Sequence, residues 1–168
     1  MPDDTYLTLV TLRAVRDYAE TPIPDDILNR VLEAGRSSGS SRNTQPWTFF
    51  VARTREKVNR MGQTVYAPEN LERCRAAIAI ASPKGGFDIG RCAERMMIVA
   101  WSFGVGSCPN GIKDQEALSG LLGLSEGSTV TTILSFGYPL HGRRASSADD
   151  VLARMDRRRL GDVVRDLD

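Results

Sequence analysis

Ser40-Ser41-Arg42-Asn43-Thr44-Gln45-Pro46-Trp47 opens straight into Trp47-Thr48-Phe49-Phe50-Val51. The first half is dense in side-chain hydrogen-bonding groups. The second alternates Trp47, Phe49 and Val51 with Thr48, Phe50 and Ala52, which reads as a strand. A polar loop at the mouth of a sheet suits a polar, planar ligand. Just upstream, Pro24 with Asp25 and Asp26 starts a helix, because proline suits a first turn and carboxylates favour the positive end of the dipole. Its apolar residues Ile27, Leu28, Val31 and Leu32 recur at helical spacing. Gly35 and Gly39, with the serines around them, are expected to end it in a loop.

Working outward, Tyr6, Leu7, Leu9, Val10 and Leu12 suggest a short first helix, followed by an extended segment from Arg13 to Pro22. Arg55 to Val65 reads as a helix. Ala76-Ala77-Ile78-Ala79-Ile80-Ala81 is short, apolar and bounded by charge and Pro83, as in a buried central strand whose alanines let a helix or a flat ligand come close. Asp88 is expected to cap a long helix carrying Ile89, Cys92, Ala93, Met96, Met97, Ala100 and Phe103. That helix is apolar nearly all round after Arg95, which implies burial against the sheet or a partner subunit. Gly104 and Gly106 terminate it in a Gly-rich loop that carries Cys108, expected to be exposed. Asp114 caps a further helix that stops at Gly123, and Val130 to Phe136 form the next strand. The polar tail from Leu140 to Asp168 offers little core, with a short helix from Asp149 to Met155 and an apolar finish at Val163-Val164. It is expected to lie across another surface, such as a neighbouring subunit.

The bulk properties exclude several classes of function. The 168 residues fit one domain, and 41% hydrophobic with 26% charged residues is the balance of an ordinary globule. A net charge of +1 argues against broad nucleic-acid or anionic-membrane binding. No signal peptide or membrane-spanning run is expected. Three widely spaced cysteines fit neither a disulfide framework nor a zinc site, and suit a reducing cytoplasm. Gly35-Arg36-Ser37-Ser38-Gly39 matches G-x-S-x-G, but the helix precedes the serine instead of following it. His141, the one histidine, reads as a solvated turn residue, and no His or Cys pair has metal-ligand spacing. Gly104-Val105-Gly106 continues to Pro109, so the dinucleotide fingerprint is missing, and no phosphate-binding P-loop is present. Arg157-Arg158-Arg159 reads either as a solvated face or as a phosphate contact.

Taken in order, these segments resemble the nitroreductase family. Leu12 to Tyr18 is similar to its Arg-Arg-Ser-Val-Arg-x-Phe opening. Pro24 to Leu28 with Val31 to Ala34 resembles its first amphipathic helix. Ser40 to Trp47 resembles Ser-x-x-Asn-x-Gln-Pro-Trp. Gly104 to Cys108 with Gly111 resembles Gly-Leu-Gly-Ser-Cys-Trp-x-Gly. Leu124 to Pro139 resembles Leu-Pro-Glu-Gly…Leu-Gly-Tyr-Pro, and Arg157 to Val164 resembles the closing Arg-x-Arg-x-x-x-Glu-Val-Val. Leu12 and Ala14 depart from the pattern, replacing an arginine and a serine.

The resemblance implies an α+β fold: a three-layer α-β-α sandwich with a mixed, mostly antiparallel sheet flanked by helices. It implies one FMN-binding domain over 1–168, residues 140–168 forming an arm on the partner subunit of a homodimer with FMN at its interface. Arg13, Arg157 and Arg159 fall where cations meet the FMN phosphate. Ser40, Ser41 and Asn43 fall where the neighbouring subunit touches the ring and ribityl groups. Arg16 falls at the pyrimidine edge, where it would stabilise the negative charge of reduced flavin. Ala14 and Pro109 belong to the same cofactor-binding set. The backbone around Asn110-Gly111 falls near flavin N5, which glycine allows to come close. No protein side chain is needed as a catalyst, since the cofactor carries the chemistry. The implied activity is hydride transfer from NAD(P)H to FMN and then to a nitroaromatic, quinone or similar acceptor. Oxidation or dehydrogenation of a specialised metabolite, or flavin binding without turnover, are the alternative readings. The short stretch from Ala52 to Pro83 leaves little room for a lid, so a shallow, open substrate site is expected.

Overall fold

A computed structural model describes residues 2–141 and 148–167. They group into two compact units, residues 12–141 and residues 2–11 with 148–167.

The larger unit is built on β1 (Thr48–Ala52), β2 (Ala76–Ser82), β3 (Gly106–Asn110) and β4 (Thr129–Gly137), in the order β1-β2-β4-β3. All three pairings are antiparallel. One isolated parallel bridge, Ala14 to Ser107, adds the segment after the first helix to the β3 edge. The α+β sandwich with a mostly antiparallel sheet is therefore the observed architecture. β2 lies at the centre with every residue buried, which its run of alanine and isoleucine allows. Strand alternation sends Ile78 and Ile80 to one face, against α2 (Asp25–Arg36) and α5 (Phe87–Ser102). It sends Ala77, Ala79 and Ala81 to the other, against α3 (Arg55–Gly62) and α6 (Gln115–Leu122). Each buried isoleucine contributes about 1.5–3 kcal/mol by leaving water. The small alanines admit Val58, Met61 and Leu118 of those helices, so helices and not a ligand take that space.

Several local expectations are corrected. Gly35 does not end α2: it lies within it, and a Cβ there would sit 2.8 Å from Met96 Sδ and 2.9 Å from Phe49 Cζ. It is glycine so that α2 can pack tightly on α5 and the sheet. Asp88 does not cap α5 either. Gly86, at φ 123°, takes the cap position, and the Asp88 carboxylate serves a loop instead. The Gly-rich loop around Cys108 is strand β3, and Cys108 is buried. Pro109 is tolerated because β3 is an edge strand. The helix from Arg55 stops at Gly62, and the short α4 (Glu69–Glu72) follows it, where no helix was expected. Asp114 does cap α6, accepting from Ala117 N–H at 2.9 Å, and Gly123 ends it at φ 62°.

The smaller unit holds α1 (Pro2–Thr11), α7 (Ala148–Arg154) and the single-turn α8 (Leu160–Val163), with α1 packed on α7. The first helix thus starts earlier and ends one residue before Leu12. Part of the arm expected over 140–168, residues 142–147, lies outside the described residues. Leu160 and Leu167 are 77% and 97% exposed.

Candidate active site

The segment Leu12 to Tyr18 is laid along β3 by three fixed points. Val15 N–H donates to Ser107 O at 2.8 Å. Gly106 lacks a Cβ where Val15 Cγ2 would be 2.6 Å away, so the two backbones approach closely. Tyr18 is buried against Gly137, whose missing Cβ would meet the tyrosine ring at 2.7 Å. The Tyr18 hydroxyl donates to Val15 O at 2.5 Å and lies 3.0 Å from Ser135 Oγ. Burial raises its pKa well above the usual tyrosine value, the Ser135 hydrogen bond opposing this, so it is no acid or base near neutrality. This arrangement leaves Arg13 half-buried, with Nη1 donating to Leu12 O at 2.6 Å, and leaves Ala14 and Arg16 exposed. Burial raises the Cys108 thiol, and the guanidinium of Arg16, which reaches it, partly offsets that.

Further along the same strand edge stand Pro109, Asn110 and Gly111. Pro109 and Gly111 are exposed. The side chain of Asn110 is buried, and its Nδ2 donates to Cys108 O and Ile133 O, both at 2.9 Å. Its Oδ1 accepts from Asn70 Nδ2 of α4 at 3.0 Å. Two carbonyls facing Nδ2 fix which way this amide points. The Gly111 carbonyl accepts from Tyr66 N–H at 3.1 Å, while Thr64 O accepts from Lys113 and Asp114 N–H at 2.8 and 3.1 Å. The end of β3 is therefore rigid. About 10 Å of strand separates Cys108, beside Arg16, from Gly111.

The Ser40–Gln45 loop is held differently. Arg42, Asn43 and Gln45 have φ of 53°, 55° and 45°, in the left-handed region. Arginine and glutamine lose about 1–2 kcal/mol each in that conformation, and such clusters of strain persist only where surroundings enforce them. Here Ser40 Oγ accepts from Gln45 N–H at 2.8 Å, and the Asp88 carboxylate accepts from Ser41 N–H at 3.0 Å. Ser41 and Asn43 are exposed and Ser40 is half-buried.

The loop and the arginine edge stand at opposite corners of the sheet. Thr48, at the end of the loop, pairs with Ala81 and through it with Val130, whereas Ser107 pairs with Phe136. Three strand spacings, about 14 Å, and six residues of strand, about 20 Å, separate the two corners. Arg157 and Arg159 belong to the smaller unit, where both are exposed and Arg157 Nη1 donates to Asp156 O at 2.8 Å. On donor chemistry these residues fit FMN. One edge offers a guanidinium, an open glycine backbone and the small Ala14 for a flat ring; the loop offers hydroxyls and an amide. Tyr66, Asn70 and Asp88 escape a reading of the sequence because each acts through a partner 40 or more residues away, with no local motif.

The model of the nitroreductase family matches residues 10–84 and 79–138. A relative from Archaeoglobus fulgidus, provisionally named NADH dehydrogenase/NAD(P)H nitroreductase, is 31% identical over 155 residues, covering 84% of this chain and 89% of its own. A solved nitroreductase family protein from Clostridium difficile superposes with a TM-score of 0.80 at 18% identity, over 95% of this chain and 96% of that one. The NADPH:FMN oxidoreductase of Vibrio harveyi, complexed with NAD+, gives a TM-score of 0.74 at 20% identity, over 94% and 79%. The two structural likenesses carry the fold. With the family match over most of its length and the archaeal relative, this chain belongs to the nitroreductase family.

Proposed function

We propose that this nitroreductase-family oxidoreductase binds FMN and works in two halves, with NAD(P)H as donor and a small nitroaromatic, quinone or similar molecule as acceptor. FMN, when bound, would supply the hydride chemistry between donor and acceptor. The protein's own residues bind and orient. Arg13, Arg157 and Arg159 meet the phosphate, where a guanidinium fork matches adjacent oxygens. Arg16 faces the pyrimidine edge and favours the anionic reduced state. Ala14 would leave room for a flat ring, and the Pro109–Gly111 backbone, held from behind by Asn110, would help hold it. Ser40, Ser41 and Asn43 come from a second copy of the chain.

One observation carries this reading: in a chain of this family, a strained donor loop and an arginine-bearing strand edge occupy opposite corners of one sheet. A head-to-head pair of copies brings one protomer's loop to its partner's edge. The partly exposed apolar residues Ile98 and Val99 of α5, together with Phe103 just after it, support an interface on that helix. The purified protein is expected to be yellow or to turn yellow with added FMN, and to bleach under anaerobic NADPH or NADH. Colourless protein that leaves FMN free in solution would contradict the reading.

A further inference from the structure

We propose that Asp88 is a positioning residue that sets the shape of the Ser40–Gln45 loop for the cofactor. This rests on the FMN reading above. Asp88 lies in the first turn of α5, where a carboxylate ordinarily serves its own helix. Here its Oδ2 instead accepts from Ser41 N–H at 3.0 Å, across 47 residues. Its other oxygen faces Arg91 Nη1 at 3.8 Å, and the carboxylate is only 22% exposed.

Arg91 is in turn held from two more sides. Its guanidinium lies over the Phe87 ring at 5.5 Å. Its Nη2 occupies the space beside Gly39, 2.8 Å from where a Cβ would be. Phe87, Asp88 and Arg91 thus form a brace along one helix turn, and it grips the chain at Gly39 and Ser41. Immediately beyond that grip come the left-handed residues Arg42, Asn43 and Gln45. Within the loop the hydrogen bonds are local: Asn43 N–H to Ser40 O at 3.0 Å, Thr44 N–H to Ser41 O at 3.1 Å, and Gln45 N–H to Ser40 Oγ. These would survive if the loop swung as a body. The Asp88 contact is what ties it to the scaffold. A charged acceptor makes that tie stronger than a neutral one.

Asp88→Ala and Asp88→Asn separate this role from a general structural one, since asparagine keeps an acceptor oxygen. FMN affinity is measured by flavin fluorescence on the full chain, alongside trypsin cleavage after Arg42 in the apoprotein and its thermal melt. Asp88→Ala is expected to weaken FMN by about tenfold or more, the scale of one hydrogen bond to a charged group. Cleavage after Arg42 rises while the melt moves little. Asp88→Asn restores affinity to within about threefold of the parent protein and keeps the loop resistant. Unchanged FMN affinity and unchanged cleavage in Asp88→Ala would overturn the inference alone. So would an equal collapse of the melt in both variants, which marks a residue of the fold. An unaltered protein that binds no FMN would instead overturn the flavin reading and this inference with it.

Discussion

Cys74, Cys92 and Cys108 are all buried, and burial makes each thiol harder to ionise. Cys74 and Cys92 are pushed from the usual 9.0 up to about 11. The unfolded chain loses these protons first, so between those two values the native state holds more protons than the unfolded one. Stability therefore falls as pH rises through that window and is unaffected by these groups below it. At pH 8 hardly any thiolate exists in the native protein. A disulfide reagent such as Ellman's is expected to find no rapidly reacting thiol on the native protein, and all three after unfolding in guanidinium. A thiol that reacts within seconds on the folded protein contradicts this, and Cys108, nearest the exposed edge, is the one to watch.

At the scale of elements, the Asn70–Asn110 pair joins α4 to the end of β3, and β3 to β4. Removing the amide strands a buried partner and two carbonyl contacts. Asn110→Ala is expected to cost about 2–4 kcal/mol in urea unfolding. Asn110→Asp, nearly identical in shape, should cost at least as much, because an anionic oxygen then faces Cys108 O and Ile133 O. An Asn110→Asp protein as stable as the parent contradicts this account of the network. The same element shows where sequence reading stops. β2 is legible because a continuous apolar run encodes burial, β4 because β-branched and apolar residues dominate Val130 to Phe136, and α2 and α6 because their starts carry proline, carboxylates or an Asp cap. β3 is not: Gly-Ser-Cys-Pro-Asn has no alternation and a strand-averse proline. It is a strand because β4 on one side and the Leu12–Tyr18 segment on the other supply its partners. In the site, the polar loop was legible as a donor cluster, but its left-handed backbone and its tie to Asp88 are products of tertiary contact. Asp88 read as a helix cap because only its own helix is visible in sequence.

For the whole molecule the decisive feature is separation. The loop from Ser40 to Gln45 and the edge bearing Arg13 and Arg16 stand too far apart on one sheet to serve a single cofactor. In the proposed homodimer a second copy would resolve this, and the functional site would then be a property of the pair. The measurement that tests it most directly is complementation between two inactive variants. Arg16→Ala damages the edge and Asn43→Ala damages the loop, and each is expected to lower FMN binding in both sites of the proposed homodimer. Unfolding, mixing and refolding the two together creates heterodimers in which one site carries both defects and the other carries neither. The account predicts that FMN binding and NAD(P)H-driven bleaching, weak in each variant alone, return in the mixture and track the heterodimer fraction. A mixture no better than the average of its components, or a monomer that binds one FMN at full strength, contradicts it.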